Sequence, residues 1–132
     1  MRFHGWLQGA QLEHRYREAD VFVLPSWTEG LPNAMIEAMA AKLAVVVTAV
    51  GNIPDVIEDG VTGLLVPPRD VAVLTRALAR MIDEPALRNS LAQAGHNGAR
   101  ATFSVEPAVE RLVSEIQDAM VSNKSTINNG KF

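Results

Sequence analysis

The sequence predicts an α/β domain, a mostly parallel sheet with helices on both faces. Two observations carry this expectation. Val21–Leu24 and Ala44–Thr48 are uninterrupted apolar runs rich in valine, the pattern of strands buried on both faces. The stretches between and after them place apolar residues three and four apart instead, so strand and helix alternate along the chain.

Residues 8–19 read as a short helix, because Leu12 and Tyr16 lie four apart on one face. Val21–Leu24 follows as a strand running into a turn at Pro25 and Ser26. Residues 33–41 read as a helix with Pro32 near its first turn, where a missing N–H costs least. Ala34, Met35, Ile36, Ala38, Met39, Ala40 and Ala41 surround that helix with apolar side chains, which predicts a central position. Gly51-Asn52-Ile53-Pro54 reads as a turn after the Ala44–Thr48 strand, and residues 56–63 as a further turn region. Leu64–Val66 is a short strand stopped by Pro67 and Pro68.

Asp70 stands where a helix N-cap is wanted. Val71, Leu74, Ala77, Leu78, Met81 and Ile82 then form an apolar stripe. Pro85 opens another helix to about Ala94, with Gly95 and Gly98 obscuring its end. Ser104 is a cap for a last helix with Val109, Leu112, Val113, Ile116 and Met120 on its apolar face. Residues 122–132, rich in Asn, Ser and Gly without periodicity, are expected to be a disordered tail.

A length of 132 residues fits one domain, with a core near the modest end of the range. The net charge of −3 gives no electrostatic case for nucleic acid or an anionic membrane. Without cysteine there are no disulfides or thiolate metal sites, which agrees with a reducing compartment. No apolar run is long enough to span a bilayer, and the first residues lack a signal peptide's apolar core. The expectation is a cytoplasmic protein. His4, His14 and His96 share no spacing that would hold a metal.

The most informative stretch is Glu29-Gly30-Leu31-Pro32-Asn33-Ala34-Met35-Ile36-Glu37. It places one carboxylate in the loop at a strand's carboxyl end and a second on the helix that follows. In open α/β sheets that crevice is where ligands bind, and a helix start offers free N–H groups to phosphate. Carboxylates accept hydrogen bonds from sugar hydroxyls. The chemistry suggested is recognition of a sugar attached to a phosphate. Glu29 alternatively reads as a solvated loop carboxylate, and Glu37 as one half of a salt bridge or a solvent-facing side chain. Gly30, Leu31, Pro32 and Asn33 alternatively form an ordinary capped turn, and Ser26 and Thr28 local caps.

The stretch resembles the E-x7-E motif of retaining GT-B glycosyltransferases, most closely glycosyltransferase family 4. The likeness extends in order through Phe3-His4-Gly5, residues 19–26, Glu37-Ala38-Met39-Ala40, Val45-Val46-Val47-Thr48, residues 51–54, residues 60–66 and Phe103-Ser104. It implies that residues 1–121 are a partial Rossmann-like, nucleotide-sugar-binding domain, the incomplete second half of a GT-B fold. It implies transfer of a sugar from a UDP- or GDP-linked donor to an acceptor with retention, without a metal or other cofactor. Glu29 is then the catalytic residue beside the transferred sugar. Glu37 holds the ribose diol, and Gly30, Leu31, Pro32 and Asn33 meet the donor sugar and diphosphate. Gly30 is expected to permit a tight backbone and close approach of ligand.

The chain departs from the family pattern at Lys42, where a helix-ending glycine is usual and φ is positive. Ala44, Asn52 and Asp55 replace a frequent proline, glycine and glutamate. The family's acceptor-binding first domain, and the Gly-Arg loop and Lys that neutralise the diphosphate, have no counterpart here. Arg15, Arg17 and Lys42 do not fall in that context. The isolated chain is therefore expected to be inactive, and a longer parent to be peripheral to the membrane. A non-catalytic binding module, and a GT-B epimerase or phosphorylase, stand as alternatives. The family strand order 3-2-1-4-5-6 would leave the Val21–Leu24 strand with an open apolar edge. That edge is expected to pair with the Phe3 segment or with a second copy of the chain.

Overall fold

The computed structural model describes residues 3–103. Their elements run α1 (Ala10–Glu18), β1 (Val21–Leu24), α2 (Asn33–Ala40), β2 (Ala44–Thr48), α3 (Ile53–Val56), β3 (Leu64–Val66), α4 (Val71–Asp83) and α5 (Pro85–Phe103). The strands form one parallel sheet in the order β1-β2-β3. The register sets Val21 opposite Ala44 and Val46 opposite Leu64. The chain divides into two compact units, Met1–Ala99 and Arg100–Phe132, and the whole sheet lies in the first. The expected Ser104-capped helix and the 122–132 tail lie outside the described residues.

Both faces of the sheet are covered, as expected, and β2 shows how. Its side chains alternate, the period of two inherent in a strand. Val45 and Val47 pack with Met35, Ala38, Met39, Ile53 and Ile57 from the α2 and α3 side. Ala44 and Val46 pack with Leu64, Val66, Ala77, Met81 and Leu91 from the α4 and α5 side. All five residues of β2 are buried.

β1 departs from the expectation of burial on both faces, because Val23 is exposed and its neighbours are only half-buried. It occupies one edge of the sheet. The Phe3 segment does not pair with it. Residues 3–5 form no strand, and Phe3 is 84% exposed. A segment that buries so little apolar surface gains nothing to offset the entropy of ordering it.

Three helix expectations are corrected. α2 buries only the face of Met35, Ala38 and Met39, and leaves Ala34, Glu37, Ala40 and Ala41 exposed. It is a one-sided cover rather than a central helix. In α4 the stripe is narrower than predicted, since Val71 is 74% and Ile82 72% exposed while Val73 turns inward. α5 continues without a break through Gly95 and Gly98 to Phe103. At Gly95 the absence of a side chain is a packing requirement, because a Cβ there would press into the Thr62 carbonyl oxygen at 2.7 Å. The glycine marks close approach of helix and loop, not a helix end. A short helix, α3, also replaces part of the turn expected at Ile53 and Pro54.

Candidate functional site

The loop leaving β1 is fastened from two directions. Thr48, the last residue of β2 and buried, donates its hydroxyl to the Ser26 carbonyl at 2.6 Å. Ser26 in turn donates its own hydroxyl to Glu29 Oε1 at 2.6 Å, a short bond of the charge-assisted kind. On the other side, the Asn52 N–H donates to the Gly30 carbonyl at 3.0 Å. Gly51 sits at φ 56°, where an added Cβ would run into the Glu29 and Gly30 carbonyls. Glu29 is half-buried at the carboxyl end of the sheet.

The tight backbone expected of Gly30 belongs instead to Gly51. Gly30 has no positive φ, and a Cβ there would meet nothing within 4 Å. Asn52, where the family often has glycine, has φ −91°, and the left-handed residue of this turn is Gly51.

Pro32 occupies the N-cap of α2, and no side chain caps the first turn. Helix-start N–H groups in that state are open to an anion. Asn33 and Leu31 are exposed beside them. The opposite end of α2 is closed more fully. Leu43 N–H reaches the Ala38 carbonyl and Lys42 N–H the Met39 carbonyl, both at 3.0 Å. This is a Schellman motif, and Lys42 at its C′ position has φ 64°, as the resemblance implied. His96 Nδ1 adds a contact to the Ala40 carbonyl at 2.9 Å. That histidine closes a helix end, and His14 pairs with Glu18 at 3.2 Å on α1.

Glu37 stands on the exposed face of α2. Its Oε2 accepts from the Tyr16 hydroxyl at 3.3 Å, and that hydroxyl is also 3.3 Å from the Ala34 carbonyl. The pair lines a cleft of about 650 Å3 between α1 and α2, together with Leu12, Arg17, Ala41 and Lys42. Burial, then the Glu37 charge and hydrogen bond, hold the Tyr16 hydroxyl above its ordinary pKa of 10.0. Glu29 is not among the residues lining that cleft. The two carboxylates thus have separate surroundings, one on the β1–α2 loop and one facing α1.

Sequence reasoning missed several of these partners. Thr48 carried a signal, a hydroxyl closing an otherwise apolar strand. The Tyr16–Glu37 pair, 21 residues apart, carried none. Nor did Arg69, at φ 65°, whose guanidinium lies 4.8 Å over the exposed Trp27 ring. Among the described residues no His, Asp and Glu cluster could hold a metal ion, and no helix is long and apolar enough to cross a membrane.

A parallel, helix-covered sheet with an acidic loop at its carboxyl end defines a Rossmann-like α/β fragment. The sequence matches the family described as glycosyl transferases group 1 over residues 1–84. It is 35% identical over 118 residues to a D-inositol 3-phosphate glycosyltransferase of Thermobifida fusca, covering 89% of this chain and 27% of that protein. Among solved structures it resembles the C-terminal domain of a glycosyl transferase group 1 family protein from Francisella tularensis. That likeness has a TM-score of 0.70 and 30% identity, and covers 76% of this chain and 52% of the other. An Anabaena protein, Alr3699/HepE, solved in complex with UDP, shares the fold with a TM-score of 0.74 at 20% identity, over 83% of this chain and 30% of that one. The chain belongs to the group 1 glycosyltransferase family. It spans about a quarter of the length of the curated relatives it matches.

Proposed function

We propose that this chain supplies part of the donor site of a retaining glycosyltransferase that moves a sugar from a UDP- or GDP-linked donor to an acceptor. The observation that carries the proposal is the fastened loop from Ser26 to Gly30, which holds Glu29 at the sheet's carboxyl end and leads directly into the uncapped start of α2. Glu29 would contact the transferred sugar, and Glu37 would accept from the ribose diol. The backbone around Gly30, Leu31, Pro32 and Asn33 would meet the sugar and diphosphate. The UDP bound by the Anabaena relative agrees with a nucleotide donor.

The reaction needs more than these residues. Departure of a nucleoside diphosphate is helped by positive charge placed where negative charge develops, and no Lys or Arg of the described residues lines the Glu29 loop through a hydrogen bond or ion pair. An acceptor-binding domain and those cations would come from other parts of a longer enzyme in the cytoplasm. A second reading, a non-catalytic binding module that associates through the open edge of β1, is supported by the exposed Val23.

Two measurements separate these readings. Glu37→Gln should weaken binding of a plain nucleoside diphosphate about tenfold or more, as loss of a charge-assisted hydrogen bond does, and Glu29→Gln should leave it unchanged. Glu29→Ala in a longer enzyme should lower turnover with an unaltered circular dichroism spectrum. Unchanged turnover in that variant makes Glu29 a bystander.

A further inference from the structure

We propose that Tyr16 is the positioning residue for Glu37, its hydroxyl holding Oε2 so that the other carboxylate oxygen is presented to a ribose diol. The inference rests on the reading of Glu37 as the ribose acceptor and names the group that prepares it.

Glu37 is exposed on α2, and a free glutamate there would sample several rotamers. The partner comes from a different element, α1, 21 residues away. The Tyr16 ring is itself held. It is half-buried against the cluster of Met35, Met39 and Val45, with its centroid 6.4 Å from that of Phe22. The anchored ring holds the hydroxyl 3.3 Å from both Glu37 Oε2 and the Ala34 carbonyl, of which the carboxylate is the stronger acceptor. Only one of the two Glu37 oxygens is engaged by a described residue, which leaves Oε1 as an acceptor at the edge of the cleft. No α1 residue is fully buried, and the tyrosine packs that helix against the core.

Restricting a rotamer-rich side chain before binding removes an ordering cost worth about three- to tenfold in affinity. The hydroxyl stays protonated at neutral pH, because its pKa is raised rather than lowered, so the donor is present throughout the physiological range.

Tyr16 is the chain's single tyrosine, so tyrosinate absorbance reports its ionisation alone. In the wild-type chain it should titrate above 10.0, and Glu37→Gln should move the midpoint down towards that value. An unmoved midpoint overturns the pairing. UDP and its 2′,3′-dideoxy analogue are then titrated by calorimetry into the wild-type chain, Tyr16→Phe, Glu37→Gln and the double variant. Tyr16→Phe should weaken UDP about three- to tenfold, leave the dideoxy analogue unaffected and add nothing to Glu37→Gln. A loss that persists with the dideoxy analogue, or adds to that of Glu37→Gln, shows a purely structural tyrosine and overturns the inference. If Glu37→Gln weakens UDP and Tyr16→Phe does not, the inference fails alone. If Glu37→Gln binds UDP as the wild type does, the assignment of Glu37 fails and takes the inference with it.

Discussion

Replacing Gly51 with alanine tests the geometry of the Glu29 loop most directly. Two separate penalties arise. Gly51 has φ 56°, and an L-residue in that region costs about 1–2 kcal/mol. The new Cβ would also collide with the Glu29 carbonyl oxygen and lie 2.8 Å from that of Gly30. Both are backbone atoms that cannot swing aside as a flexible side chain could, and forced repacking of this kind costs about 1–3 kcal/mol. Lost freedom in the unfolded chain returns about 0.4–1 kcal/mol. The net expectation is destabilisation by about 2–4 kcal/mol, a large share of the ~5–15 kcal/mol typical of a domain. At about 4 °C per kcal/mol for a chain of this size, the midpoint should fall by roughly 8–16 °C. Gly30→Ala is the matched control. Its Cβ meets nothing within 4 Å, so it should stay within about 0.5 kcal/mol of the wild type. Urea and thermal melts followed by tryptophan fluorescence read both variants. Equal melts for the two alanines would refute the claim that Gly51, rather than Gly30, sets the path of this loop.

Three further outcomes are expected. Lys42→Gly should stabilise the chain by about 0.5–1 kcal/mol, because it relieves the left-handed strain at φ 64° while keeping the Schellman bonds; an unchanged or lower urea midpoint would contradict this. Asp70→Ala removes the carboxylate that accepts from the Val73 N–H at 2.9 Å at the start of α4, and should cost about 1 kcal/mol in the same assay. Raising the pH through the Tyr16 titration should destabilise the fold. Its folded pKa lies above 10.0, so the unfolded chain loses the proton first. The contribution is complete below about pH 10 and is lost as pH rises through the folded value, and Tyr16→Phe should abolish that part of the pH dependence.

Local features of the sequence determined the alternation of elements and several of their ends. The Val21–Leu24 and Ala44–Thr48 runs are the observed β1 and β2, Asp70 caps α4, and Lys42 carries a positive φ. The strands and the cap follow from periodicity or from a residue's own hydrogen-bonding preference, which act over a few residues, whereas the positive φ at Lys42 followed from the glycine usual there in the family it resembles. The ordered motifs around Glu29 and Glu37 likewise named the family without coordinates. Burial and partnership were decided by the tertiary structure. Val71 and Ile82 satisfy the helical spacing yet face solvent, because spacing defines a face and only the neighbouring element defines how wide a face is covered. Gly95 reads locally as a helix breaker, but its role is set by the Thr62 carbonyl against which α5 packs. In the same way Gly51, Thr48 and Tyr16 became parts of the candidate site when β2, the loop after it and α1 were brought against the β1–α2 segment. Contacts between residues far apart in the chain leave no trace in local pattern, since their energy arises only when the surfaces meet.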